Sequence, residues 1–456
     1  MANNIYHKSN WGSPEKDGWG DVYFNPSATN NLYSRSDNYE NSDGTDKALN
    51  SKPDTQSILM TPTAYNVGSM NSVLPTNGDG DFTFARTSTA TRVNKDGLIE
   101  EVAADVPRLD YPLIDGVVQD SPALLLEPSR TNLFLYSKSL ESGWLVGGTD
   151  APTFTASQFT SPDGGQNASR LQFPSTGTIS IFQQLFSHTS GQKYTISAYV
   201  KSNVSTNQEF KLFGDYGTPS GISSVLTATS EWQRFTFTYT ATGTGNRSGG
   251  FYYVPNTESD LQIYGIQLEA GSYATSYIPT SGTSVTRSAE TCNSAGTSAE
   301  FNDSEGVLYA EIAALADTAT NRRISISDGT TSNLMYISYK NYTNQIRAEI
   351  ISSGTVFDTT YSASNITIFS KIALKYKQND FSLYIDGFEI AVGTSGNTPS
   401  GLSKLSLDRG DNADYFYGKT KEVAVFKEAL TDSELEALTS WDSFNDMATG
   451  QEYTIR

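Results

Sequence analysis

Phe235-Thr236-Phe237-Thr238-Tyr239-Thr240 puts a ring at every second position and a hydroxyl between. A strand turns successive side chains to opposite faces, so this stretch has one apolar and one hydrated face and reads as a half-buried β-strand. Upstream, Tyr194-Thr195-Ile196-Ser197-Ala198-Tyr199-Val200-Lys201 alternates in the same way, and Leu261 to Leu268 is a third such run. Clusters of Gly, Ser and Asn separate these runs, and short strands with turn punctuation suggest a β-sandwich. Downstream, Val307-Leu308-Tyr309-Ala310-Glu311-Ile312 opens a second set, continued by Ile372 to Lys377 and Phe381 to Ile385. Asp386-Gly387 then precedes Phe388-Glu389-Ile390, a hairpin signal because both turn positions need positive φ. Val423 to Phe426 is a last strand. Thr431-Asp432-Ser433-Glu434 fits a capping box, with Leu435 and Leu438 on one face of the short helix behind it.

The chain has 456 residues. At roughly 100–200 residues per domain, two to four domains are expected. Only 18% of residues are charged, and Ser, Thr, Asn and Gly fill the gap, a mix suited to exposed sheet faces and turns. The 26 Tyr and 22 Phe also favour strands. The expected fold is therefore mainly β, with two tandem antiparallel β-sandwiches of jelly-roll type preceded by an extended N-terminal arm. The divisions are an arm at 1–80, a connector at 81–132, a first sandwich at 133–287, a linker at 288–298, a second sandwich at 299–438 and a tail at 439–456. Residues 38–58 are almost free of large apolar side chains, which is why the arm reads as extended.

The formal net charge is −19, a field that repels polyanions, so no nucleic-acid partner is expected. No stretch approaches the roughly 18 apolar residues of a membrane span, so no membrane insertion is expected. One cysteine, Cys292, leaves no intrachain disulfide, and its surroundings suggest an inert thiol. Two histidines, His7 and His188, make zinc chemistry or a Ser-His-Asp triad a poor fit. The start, Met1-Ala2-Asn3-Asn4, lacks a basic segment followed by an apolar run, so the chain is expected to assemble in the cytoplasm where it is made.

A glycan site needs exposed rings, because sugar C–H groups pack on the negative face of an aromatic system, with polar groups beside it. Candidates in the first sandwich are Trp144, Tyr216, Trp232, Tyr252 and Tyr253. Trp232 stands just before the deciding strand and equally suits core or rim packing. Tyr252 and Tyr253 are adjacent, so in a strand one of them should be exposed. In the second sandwich the candidates are Tyr336, Tyr339, Tyr342 and Tyr415. Tyr336 and Tyr342 share a face if their strand runs unbroken, although an ordinary cross-strand ladder would look the same. Asp408, Asp411 and Asp414 alternate through one loop, either a structural Ca²⁺ site or a solvated turn. Arg409-Gly410-Asp411 within it is an integrin-type tripeptide that chance explains. Trp11 and Trp19 stand in a polar background, and either pack on the first domain or dock into a partner protein.

Phe84-Ala85-Arg86-Thr87-Ser88-Thr89-Ala90-Thr91-Arg92, Pro107-Arg108-Leu109-Asp110-Tyr111 and Leu125-Leu126-Glu127-Pro128-Ser129-Arg130-Thr131-Asn132-Leu133 together resemble a module of phage virion proteins of tail, fibre or head-fibre type. Residues 133–287 resemble carbohydrate-binding modules of the jelly-roll type, carried by Trp144, Trp232, Gln267-Leu268-Glu269-Ala270-Gly271 and Tyr277-Ile278-Pro279-Thr280. Related jelly rolls imply a structural Ca²⁺ ligand at Glu269. Residues 299–438 resemble a laminin-G or concanavalin-A-like sandwich, carried by Leu383 to Gly387 and Ala424 to Glu434. These resemblances imply a non-enzymatic virion fibre or spike protein. Its arm would bind other virion proteins, with Trp11 and Trp19 as attachment points, and its sandwiches would bind host-surface polysaccharide. A homotrimer would add avidity. The rival expectations are a head decoration or collar protein with a purely structural role, and a polysaccharide-degrading enzyme. The last would need two carboxylates facing each other across a cleft.

Overall fold

The computed structural model describes residues 55–440 other than 112, 115, 116, 120 and 176, and outside that range only the strand pair Asn4–Ile5 and Phe24–Asn25. The fold is mainly β, with two antiparallel sandwiches in tandem. Trp11, Trp19 and the tail beyond residue 440 lie outside the described residues.

The first sandwich stacks two five-stranded sheets. One runs Leu145–Gly148, Ser180–His188, Gly245–Tyr252, Gln208–Phe213, Leu226–Ala228. The other runs Thr153–Phe159, Ala168–Phe173, Ser259–Ala270, Lys193–Ser202, Gln233–Thr240. The deciding stretch is thus an edge strand, paired with Lys193–Ser202 in the register Ile196↔Phe237 and Ala198↔Phe235. Alternation does the sorting: Ile196, Ala198 and Val200 join Leu261, Ile263 and Phe251 in the core, while Ser197 and Tyr199 turn to the opposite face, where Tyr199 packs on the cluster of Ile99, Tyr264 and Tyr277.

In the second sandwich, Glu305–Ala314 is central, flanked by Ser370–Lys377 and Gly418–Phe426. Phe381–Ile385 and Phe388–Gly393 extend the first flank through the expected hairpin, in which Asp386 and Gly387 have φ of 51° and 84°. The opposing sheet orders Thr355–Ser362, Gln345–Ser352, Asn333–Tyr339, Arg322–Ser327 and Lys404–Ser406. The helix Asp432–Thr439 carries the capping box, with the Glu434 carboxylate accepting from the Thr431 N–H at 2.7 Å. Leu435 and Leu438 bury against Val307, Tyr309 and Tyr384.

Two expected boundaries do not hold. The segment from residue 55 to 132 builds no unit of its own, and residues 288–298 are not a free linker. Gln56–Met60 pairs with Val423 to Phe426, and Ala123–Leu126 pairs with Gly418 to Thr420, so two N-terminal strands share the far edge of one C-terminal strand. Thr291–Asn293 pairs with Phe82–Ala85, which buries Cys292 among Ile58, Phe84 and Leu124 in the core of the second sandwich. An open sheet edge carries unpaired N–H and C=O groups, and strands of two to five residues are too short to build a core alone. Both needs are met by the same docking.

A buried ion cluster ties this joint to the first sandwich. Arg86, Arg108, Glu127, Arg287 and Glu290 are all buried. Glu290 lies 2.7 Å from Arg86 and is also gripped by Arg108, and Glu127 lies 2.8 Å from Arg108 and 2.6 Å from Arg287. Ser276, at the end of the first sandwich, donates its N–H to Glu127 at 2.8 Å and its hydroxyl at 2.6 Å. Burial alone would raise the Glu127 carboxyl, but the Arg287 and Arg108 guanidiniums overcome it and hold the group well below the usual carboxylate range. The excess guanidinium charge is spread over carbonyls, among them Ala103, Pro128 and Thr91.

Candidate functional site

Three surfaces meet the requirements for recognition to different degrees. The first is the outer face of the sheet holding Gly245–Tyr252. Phe251 enters the core, so its neighbour Tyr252 turns outward and is half-buried. Tyr252 stands across from Ile181 on one side and Lys211 on the other. Its ring lies 5.8 Å from Phe213 and 6.3 Å from Tyr216, which is 38% exposed. The result is an aromatic shelf with a lysine beside it. Tyr252 and Tyr253 separate as alternation requires, because Tyr253 is buried in the core.

Trp144 does not belong to this shelf. It is buried, stacks on Phe182 at 5.0 Å and donates its indole N–H to the Tyr136 carbonyl at 2.5 Å. Its large apolar area is better spent in the core than on the surface. Trp232 is half-buried against the cluster of Ile99, Ala168, Tyr264 and Tyr277, with the Lys201 ammonium 5.4 Å from its ring, and so packs at the rim.

The second surface is the outer face of the sheet holding Asn333–Tyr339. Tyr336 is only 1% exposed. Arg323 lies 4.3 Å above its ring, its hydroxyl bonds Glu349, and Arg347 donates to its oxygen at 3.0 Å. Arg347 continues to Asp358 through two bonds of 2.7 Å. This charged lid leaves no ring face for a sugar. Tyr339 points into the core. The strand ends at Tyr339, so Tyr342 does not share a face with Tyr336 and instead stands 57% exposed in the following turn. Tyr415 is half-buried, 6.1 Å from Tyr417.

The carboxylates proposed for Ca²⁺ do not converge. Asp411 is gripped by Arg409 through bonds of 3.0 and 2.6 Å, which lower its pKa. Asp414 faces Arg323 at 3.4 Å and Arg409 at 3.6 Å. Asp408 is buried and accepts from Asn293 at 2.9 Å. Glu269 accepts the Thr275 N–H at 2.9 Å and its hydroxyl. Calcium needs six to eight oxygens around one point, and these are turned toward protein donors. Among the described residues no group of three or more His, Cys, Asp or Glu side chains is placed to hold a metal.

The third surface is a cleft of about 620 Å³ where the N-terminal strands and both sandwiches meet. Its walls include Val93, Leu125, Tyr199, Arg234, Ile368 and Phe369. The sequence pointed to none of these as a site, because they come from segments far apart in the chain. The ion cluster behind the wall was equally hidden. Arg86, Arg108 and Glu127 stand in the stretches resembling the phage module, but no local spacing pairs them with Arg287 and Glu290.

Residues 297–436 match the family described as the concanavalin A-like lectin/glucanases superfamily. Among solved structures, the chain is similar to the sialidase CBM40 of Ruminococcus gnavus bound to α2,3-sialyllactose, at 16% identity over 33% of this chain and 94% of that one, with a TM-score of 0.28. It is similar to a leech intramolecular trans-sialidase at 18% identity, over 32% of this chain and 26% of that one, with a TM-score of 0.26. Domain 4 of an extracellular arabinanase from Geobacillus stearothermophilus, in complex with arabinotriose, aligns at 15% identity over 37% of this chain and 84% of that one, with a TM-score of 0.27. No curated protein matches the chain.

Proposed function

We propose that this protein is a non-catalytic glycan-binding protein, displayed on a phage particle as a fibre or spike that holds host-surface polysaccharide. The observation that carries the binding role is the shelf of Tyr252 and Tyr216 beside Lys211. The lectin/glucanase-superfamily match over residues 297–436 supports it, as does the exposed Tyr342. The phage setting is supported by the resemblance of residues 84–133, and attachment would run through Trp11 and Trp19. The non-catalytic reading is supported by the cleft's two carboxylates, Asp110 and Glu127. Asp110 accepts the Val93 N–H at 2.9 Å, and Glu127 is held ionised by arginines. A glycosidase needs one such acid kept protonated.

The test is binding of the full chain to a host glycan array and to host cells, compared with Tyr216→Ala and Tyr252→Ala. About a tenfold loss of affinity in either variant, about 1.4 kcal/mol, is expected. Unchanged binding in both would overturn the shelf as the site. One observation favours a second reading, a purely structural decoration or collar protein: Trp144, Tyr253 and Tyr336 are buried. Incorporation into purified particles without affinity for any host glycan or cell would decide for it.

A further inference from the structure

Among the described residues, the cleft between the modules carries a cation that no carboxylate pairs. Of its lining cations, Arg92 lies 2.6 Å from Glu100 and Lys419 lies 3.4 Å from Asp110. Arg234 has no carboxylate within ion-pair distance among the described residues. One of its terminal nitrogens donates to the Ser197 hydroxyl at 3.0 Å, and its Nε–H is buried with no partner. Its guanidinium lies 5.3 Å above the Tyr199 ring, directly across the strand pair, which fixes the plane of the fork. Among the described residues the lining holds three cations, Arg92, Arg234 and Lys419, against two carboxylates, and one of these, Glu127, is already held by Arg108 and Arg287 behind the wall. In a chain of net charge −19 this is a local positive site. The remaining wall is largely apolar, with Leu125, Ile368 and Phe369.

We infer that this cleft binds a carboxylate-bearing saccharide unit, with the acid group on Arg234 and the sugar's apolar face against Phe369 and Ile368. A guanidinium can pair with a carboxylate in two parallel bonds, and among the described residues the Arg234 fork makes one protein hydrogen bond, from a terminal nitrogen to Ser197. A cleft of a few hundred cubic ångströms, mostly apolar with few convergent polar groups, has the usual form of a small-ligand site. The inference rests on the glycan-binding reading and adds the class of sugar and a second site, remote from the Tyr252 shelf.

Titration of the full chain with glucuronate, with glucose and with acetate, by calorimetry and saturation-transfer NMR, tests it. Glucuronate should bind more tightly than either glucose or acetate. Arg234→Gln should weaken glucuronate about tenfold or more, and Arg234→Lys should restore part of the loss. Phe369→Ala, which keeps the charge, should weaken glucuronate but not acetate. Equal binding of glucuronate by the wild type and Arg234→Gln, with both melting alike, overturns the inference, as does no glucuronate binding at all. If neutral oligosaccharides still bind and depend on Tyr252, only the cleft assignment has failed. If no saccharide of any kind binds, the glycan-binding reading fails with it.

Discussion

Asp386 is the residue where sequence chemistry and burial pull in different directions. The hairpin requires a side chain that tolerates positive φ, and Asp meets that need, with φ of 51°. The same turn buries its carboxyl, and burial pushes the pKa up to about 7 against the Lys371 N–H, which donates to it at 2.8 Å. The folded value lies above the unfolded one, so the protonated form favours the fold. This contribution is fully present below pH about 4 and is lost as pH rises through about 7. Asp386→Asn keeps an acceptor for the Lys371 N–H and tolerates the same φ. It should gain about 2–4 kcal/mol over the wild type at pH 8, with the gain shrinking toward pH 5. Urea unfolding at both pH values measures it, and a pH-independent difference would rule the titration out. Trp144 shows the same limit of a one-dimensional reading. Its type marks it as valuable for sugar stacking and for a core alike, and only its place beside Phe182 and Phe134 decides. Trp144→Ala should therefore cost about 3–5 kcal/mol of stability, read by urea unfolding.

At the scale of elements, what was legible followed the length of the pattern. Strands of eight to ten residues, such as Gln233–Thr240 and Lys193–Ser202, repeat the two-residue period often enough to be read. So does the capping box before Leu435, because its two partners stand three residues apart. Thr431→Ala should cost about 1 kcal/mol and Leu435→Ala about 2–5 kcal/mol. Thermal melts should therefore place Leu435→Ala well below Thr431→Ala. The strand Thr291–Asn293 has three residues, too few for a period. It is a strand because the edge of Phe82–Ala85 lies open to it, and an edge more than a hundred residues away leaves no trace in the local pattern. Residues 288–298 looked like a linker for that reason: small polar side chains serve equally in a flexible tether and in a strand packed into a crowded joint.

For the molecule as a whole, the ion cluster makes the joint a condition of folding and not a hinge. Arg86 and Arg108 come from the N-terminal strands, and Ser276 and Arg287 from the end of the first sandwich. Glu290 directly precedes the strand Thr291–Asn293, whose Cys292 enters the second core. Buried ion pairs add little net stability compared with apolar packing, but removing one partner strands the others without solvent, at about 3–5 kcal/mol. The intact chain should accordingly unfold over residues 55–440 in a single calorimetric transition. Among the described residues, Glu290→Ala leaves Arg86 with no carboxylate and Arg108 with Glu127 alone. This variant should lower the transition and split it, with the first sandwich melting apart from the second. Glu127 gives the acid side of the same argument. Its folded pKa lies below the unfolded one, so its contribution is present above pH about 4 and is lost as pH falls further. Acidification of the wild type should then reproduce the split expected for Glu290→Ala at neutral pH. Two independent transitions in the wild type at pH 7 would mean that the cluster does not couple the modules, and one unsplit transition in the variant would mean that backbone pairing along Gly418–Phe426 couples them instead.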